Sequence, residues 1–208
     1  MILKRASYKA IKYACLNFHY AKCIPVVSVA YSVFNNNDEW CGVITYGLGA
    51  SSNMGKPYGL KSGQYLELTR MALNGKQEST SKSMSISMRL IKKDAPLVKL
   101  LISYADKGQN HIGTIYQATN WYFVNESESS GTEAFYKGKW VHSRVPNTLP
   151  KKERDKLLWR KKSGKIKYIY PIDKTLINMC KEMKKPYLKD MAKESDKVDS
   201  NANSKLDA

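Results

Sequence analysis

The sequence predicts an α/β (α+β) domain, a central mixed sheet with helices on both faces. Three observations lead there. Strand-like and helix-like runs alternate from Tyr8 to Pro171, and a layered arrangement is what buries both kinds of apolar face. The apolar fraction is 42%, enough for an ordinary packed core. No apolar run approaches the ~20 residues of a membrane span. The longest candidate, Cys23 to Ala30, is strand-length and interrupted by Pro25.

The elements follow in order. Tyr8 to Phe18 reads as a leading helix. Cys23 to Phe34 is β-branched and partly alternating, and Trp40 to Gly47 follows the turn-forming run Asn35-Asn36-Asn37-Asp38. The pair reads as an antiparallel hairpin. Tyr65 to Ala72 alternates as a third strand, with Glu67 and Arg70 expected on opposite faces. Ser81 to Lys93 places Met84, Met88 and Ile91 at helical spacing and is closed by Pro96. That stripe is expected to pack in the core. Val98 to Tyr104 reads as a buried strand, and a helix is expected from near His111 through Ala118. Trp121 to Val124 is a short strand and Lys165 to Pro171 a late one; Lys151 to Lys161 and Lys174 to Lys184 read as basic helices. Residues 125–133 (NESESSGTE) read as a surface loop. Trp40 and Trp121 read as core residues, and Trp159 as a helix anchor.

These elements imply a single domain over residues 1–189 with a basic extension over about 137–189. Residues 190–208 lack aromatic and β-branched apolar clusters, so a disordered tail is expected there. The leading segment carries Lys9, Lys12 and Tyr13, which leaves no apolar signal-peptide core. The expectation is a soluble, cytoplasmic protein with no membrane partner. None of the four cysteines (Cys15, Cys23, Cys41, Cys180) forms a CxxC pair, so reduced, partly buried thiols are expected.

Charge points to a partner. The chain carries 35 Lys+Arg against 18 Asp+Glu, a net +17. Residues 137–189 hold 17 Lys+Arg and 4 Asp+Glu, so +13 of the excess lies in about a quarter of the chain. Such self-repulsion is relieved by a polyanion. Nucleic acid leads because neutralising its phosphates releases counterions; an anionic membrane surface is the alternative. The expected contacts are Arg144, Arg160, Lys161, Lys162, Lys165 and Lys167.

The chemistry-bearing stretch is Ile102 to Trp121 (ISYADKGQNHIGTIYQATNW). A strand ends at Asp106, a loop with Gly108 and Gly113 follows, and a helix starts near Thr114. A strand, a glycine loop and a helix N-terminus can hold an anion. Gly108, Gln109, Asn110, His111, Gly113 and Thr114 are therefore the expected binding loop for a small donor, acyl-CoA-like or other. An ordinary strand–helix turn gives the same pattern.

The order of elements resembles the GNAT acyltransferase fold. The segment YAD…HxGTIYQATNW resembles the core signature of the Mom family of phage DNA-modification proteins. Phe18-His19-Tyr20, Gly42-Val43-Ile44, Tyr46-Gly47, Gly49-Ala50-Ser51, Glu67-Leu68-Thr69-Arg70, Gly138, Val141-His142-Ser143-Arg144 and Lys167-Tyr168-Ile169-Tyr170-Pro171 match in the same order. The resemblance covers about residues 15–175. It implies a GNAT-like fold and a transferase that converts adenine in DNA to an N6-carbamoylmethyl form, which shields phage DNA from host restriction. It points to Arg70, Asp106, Tyr116 and His19 as active-site residues, with Tyr20 near them. It also implies iron, for which His19, Asp106 and Tyr116 are the expected ligands, since imidazole, carboxylate and phenolate suit that metal. Two other readings stay open: an acetyl-CoA-dependent N-acetyltransferase, and an inactive basic DNA-binding protein.

Overall fold

The computed structural model describes residues 1–49, 51–128 and 131–187. Its main sheet has seven strands: β1 (Ile2–Arg5), β2 (Val29–Phe34), β3 (Trp40–Gly47), β4 (Tyr65–Leu73), β5 (Leu100–Asp106), β6 (Tyr122–Ser127) and β10 (Lys165–Pro171). Their spatial order is β1-β2-β3-β4-β5-β10-β6. All neighbours are antiparallel except β4 and β5. A second, three-stranded antiparallel sheet has the order β8-β7-β9, from β7 (Thr132–Tyr136), β8 (Lys139–His142) and β9 (Trp159–Lys161).

Helices cover both faces of the main sheet, as the sequence predicts. Helix α1 (Tyr8–Asn17) starts where the Ser7 side chain accepts the Ala10 N–H. It buries Ile11, Ala14 and Cys15 against Ala30, Val43 and Ala72. Helix α2 (Thr80–Asp94), capped by Ser79, covers the other face. Its expected stripe is the core: Met84, Met88 and Ile91 are buried among Tyr31, Ile44, Leu66 and Trp121. Each such side chain contributes about 1.5–3 kcal/mol through burial. The short helix α5 (Ile177–Glu182) packs Cys180 against Tyr65, Leu100 and Ile169. All four cysteines are free, and three of them are buried. No helix among the described residues is long and apolar enough to cross a membrane.

Two features of β4 set the site. First, β4 and β5 pair only from Tyr65–Leu100 to Glu67–Ile102. Beyond Glu67 they part, and a crevice opens at their carboxyl ends, where α/β sheets bind ligands. Second, β3 pairs Thr45 with Arg70 but Tyr46 with Leu68, so Thr69 is an extra, bulged residue. Its hydroxyl donates to Thr45 O at 3.1 Å and fixes the bulge. A bulge re-aims the side chains beyond it. Glu67 and Arg70, expected on opposite faces, therefore line one cavity.

Other expectations are corrected. The strand expected from Cys23 begins only at Val29. The helix expected over His111–Ala118 is one turn, α3 (Thr114–Gln117), because Asn110 and Gly113 are both left-handed. The basic helix expected over Lys151–Lys161 stops after α4 (Lys151–Arg154), and Trp159–Lys161 is strand β9 against β7. Trp159 is therefore a half-exposed strand residue whose indole donates to Arg154 O at 3.3 Å. Part of the expected loop 125–133 is strand, at the end of β6 and the start of β7. Helix Lys174–Lys184 reduces to a 3-10 turn and α5. The expected tail and Ala50 lie outside the described residues.

Candidate active site

A cavity of about 390 Å³ lies where β4 and β5 part. It is lined by His19 and Tyr20 from the segment after α1, Glu67 to Met71 of β4, and Tyr104 to Asp106 of β5. The loop Asn110 to Thr114, Ile115 and Tyr116 of α3, and Lys165 of β10 complete it. Of the sequence-derived candidates, the cavity gathers His19, Arg70, Asp106, Asn110, His111, Gly113, Thr114 and Tyr116.

Asp106 is the most constrained of these. Its Oδ1 accepts the Ser163 hydroxyl at 2.5 Å and the Gly108 N–H at 2.9 Å, and its Oδ2 accepts the Tyr20 hydroxyl at 3.4 Å. A Cβ on Gly108 would stand 2.7 Å from Ser163 Oγ, so glycine permits this close loop. Three elements thus aim one carboxylate. Ser163 and Tyr20 are the partners that a reading of the strand-loop-helix segment alone misses, since they lie 57 and 86 residues away.

Arg70 offers a cation without a carboxylate. Its Nη1 donates to Thr69 O at 2.7 Å and its Nη2 to Cys23 Sγ at 3.2 Å, while Nε is buried without a partner. None of the salt bridges among the described residues includes it. A half-buried guanidinium in that condition suits an anionic ligand. Lys165, expected to contact DNA, lines the cavity beside Asp106, its partner in the β5–β10 register.

His19 stacks on Tyr20 with ring centroids 4.3 Å apart. Burial, then the positive charge of Arg70, pushes its pKa down to about 4, so the ring is neutral at pH 7. Its Nδ1 accepts the Ala21 N–H at 3.1 Å, which leaves the ring proton on Nε2. His111 meets Tyr20 edge-on, ring centroids 6.1 Å apart.

Tyr116 is set deeper. It is 9% exposed, stacks on Tyr168 at 4.7 Å, and meets Ser103 Oγ at 2.8 Å. The single Ser103 hydrogen goes to Leu68 O at 3.1 Å, so Tyr116 donates to Ser103. Its remaining lone pair is then an acceptor for the cavity. Burial pushes its pKa up to about 12, so it stays a neutral phenol at pH 7. Gly113 is required beside it: a Cβ there would fall within 2.3 Å of the Tyr168 ring.

The expected ligands His19, Asp106 and Tyr116 all line the cavity, with Tyr116 set deeper. No three His, Cys, Asp or Glu side chains among the described residues cluster to hold a metal. The donors that share one rim are His19, Tyr20 and Asp106. A neutral imidazole, a phenol and a carboxylate suit iron in kind.

The anion loop is only partly as expected. Gly108 and Gln109 form an exposed 3-10 turn away from the cavity, and α3 is too short for a sizeable dipole. The expected DNA contacts divide as well. Arg144 is exposed and Lys162 half-buried. Arg160 is paired with Glu133 at 2.6 Å and Lys161 with Glu128 at 2.9 Å. Lys167 is half-buried with its ammonium 5.0 Å from the Tyr58 ring centroid.

Known proteins agree with this architecture. A spermidine/spermine N-acetyltransferase of Vibrio cholerae superposes with a TM-score of 0.50 at 7% identity, over 85% of this chain and 98% of that one. A probable GNAT-family acetyltransferase of Chromobacterium violaceum gives 0.48 at 8% identity, over 82% of each chain. The first of these likenesses shows a GNAT-like fold. In sequence, the chain is 31% identical over 123 residues to the methylcarbamoylase Mom of Escherichia phage Mu, covering 56% of this chain. It spans 49% of that relative's length, about half. Residues 1–189 match the Mom protein family, and the chain belongs to that family.

Proposed function

We propose that this protein modifies the N6 amine of adenine in double-stranded DNA with a carbamoylmethyl-type group, and so protects phage DNA from restriction in the host cytoplasm. The observation that carries the reading is the convergence of an oriented carboxylate, Asp106, and an uncompensated guanidinium, Arg70, on one crevice of a Mom-family chain.

The residues divide the work. Adenine leaves the duplex to reach the cavity, since its N6 is engaged in pairing. The acceptor oxygen of Tyr116 receives an N6 hydrogen and orients the amine. Asp106, held by Ser163 and Gly108, takes the proton that N6 loses when its new bond to carbon forms. Arg70 and Lys165 bind the negative charge of the donor and of its leaving group. Neutral His19 and Tyr20 close the rim with Asp106.

That rim is also where we place iron, on His19, Tyr20 and Asp106. Iron held there would supply Lewis-acid or redox activation, which a weak aromatic amine needs.

The test is plasmid DNA from cells expressing the protein. It becomes resistant to restriction enzymes with adenine in their sites. Full digestion in the presence of soluble protein contradicts the reading, and acetylation of a polyamine instead marks an ordinary N-acetyltransferase.

A further inference from the structure

The three-stranded sheet occupies the chain between β6 and β10. Its strands leave and rejoin the main sheet beside the cavity. In the main sheet Lys165, the first residue of β10, pairs with both Asp106 and Ser127. Residues 131–162 carry 10 Lys+Arg (Lys137, Lys139, Arg144, Lys151, Lys152, Arg154, Lys156, Arg160, Lys161, Lys162) against 3 acids (Glu133, Glu153, Asp155), a net +7. The lobe thus complements a polyanion.

One face of this sheet is aromatic as well as basic. Phe135 is the cross-strand partner of Trp140, and Glu133 is the partner of both His142 and Arg160, so these side chains share a face. The Phe135 and Trp140 rings meet edge-on, centroids 5.5 Å apart. The Arg160 guanidinium lies 4.0 Å from the Trp140 ring centroid and is held there by Glu133 at 2.6 Å. Phe135 remains 40% exposed. A ring left open to water beside a ring already stacked on a guanidinium stabilises little of the fold. Base-stacking platforms on sheets are built from these same parts.

We propose that the Phe135–Trp140–Arg160 face is a stacking platform for unpaired DNA nucleotides beside the target base. The inference rests on the DNA-modification reading and deepens it. Removing adenine from a duplex exposes the faces of neighbouring and opposite bases, and a platform that receives one of them holds the opened state. Reach is adequate. Lys165 at the cavity lies five positions after Arg160, at most about 18 Å of extended chain. That span matches roughly five nucleotides at 3.4 Å each along a strand.

The test compares fluorescein-labelled oligonucleotides by anisotropy: a perfect duplex, the same duplex with a central unpaired bubble, and a single strand of thymidines. For Phe135→Ala, binding to the single strand and the bubble weakens roughly tenfold, as expected for one lost base–aromatic stack, while duplex binding is unchanged. Phe135→Tyr restores it. The site is exposed, and circular dichroism verifies that both variants fold. Equal single-strand and bubble affinities for Phe135→Ala and the unaltered protein overturn the platform while leaving DNA modification standing. An equal loss on all three probes also overturns it, and assigns the face to the duplex backbone. Failure of the unaltered protein to bind any of the three overturns both readings.

Discussion

The cavity rim and the three-stranded lobe are built on opposite principles. At the rim, each functional group is fixed by partners far away in sequence: Asp106 by Ser163 and Tyr20, Tyr116 by Ser103. Glycines 108 and 113 leave no room for a Cβ. In the lobe, a local hairpin, β7–β8, is joined by β9 from 27 residues away, and the charged groups meet solvent or an acid. The difference teaches where precision is needed. Chemistry requires atoms held in place by long-range contacts, whereas recognition of a polyanion tolerates mobile cations at the surface.

The sharpest way to break this contrast is at Asp106. Asp106→Asn keeps an acceptor for Gly108 and Ser163 but loses the base. Modification should fall about 10²–10⁴-fold with DNA affinity intact. Near-normal product would remove Asp106 from the chemistry. Arg70→Gln comes next. Losing a charge-assisted bond of about 1.5–3 kcal/mol should weaken donor use at least tenfold, read as KM for donor. An effect on DNA affinity instead would place Arg70 on the wrong side of the comparison.

Ser163 tests the rim's dependence on distant partners, because it bonds Asp106 without itself lining the cavity. Ser163→Ala should lower kcat by about tenfold, with KM for DNA unchanged, through one lost hydrogen bond to a charged group. Ser163→Thr should restore it. No rescue by threonine would make Ser163 a packing residue.

The smaller effects lie in the lobe and in stability. Changing Lys151, Lys152 and Lys156 together to Ala should flatten log K against log salt by up to about 0.9 per lost phosphate contact. An unchanged slope would show a solvated face at α4. The low pKa of His19, about 4 against an ordinary 6.5, gives a pH signature. Between those values the unfolded chain binds the proton that the folded one refuses. Stability should therefore decline as pH drops through that window. His19→Gln should reduce the decline, visible as Tm against pH.

Much of the main sheet was legible. Met84, Met88 and Ile91 at helical spacing, and the asparagine-rich turn at 35–38, are local signals, and local signals survive folding. The strand Lys165–Pro171 appears with the bounds the sequence suggests. The bulge at Thr69 was not legible, because it exists only in pairing with Thr45. Glu67 and Arg70 were accordingly placed on opposite faces. The lobe was misread for a different reason. Lysine and arginine are good helix formers, so Lys151–Lys161 looks helical until β7 supplies a partner for Trp159 and Arg160. The missed signal was Lys137-Gly138, both at positive φ, a two-residue turn between aromatic runs. At the site, the residues on β5 and α3 were found from sequence. Ser163, and the place of Lys165 at the cavity, depend on the β5–β10 register, which no local pattern encodes.

The measurement that bears most directly on the central claim is mass spectrometry of nucleosides from DNA of cells expressing the intact protein, beside the Asp106→Asn variant. The account predicts a new deoxyadenosine species, heavier by the mass of a carbamoylmethyl substitution, in the first sample and its loss in the second. Unmodified deoxyadenosine in both, with soluble folded protein in each, would contradict it.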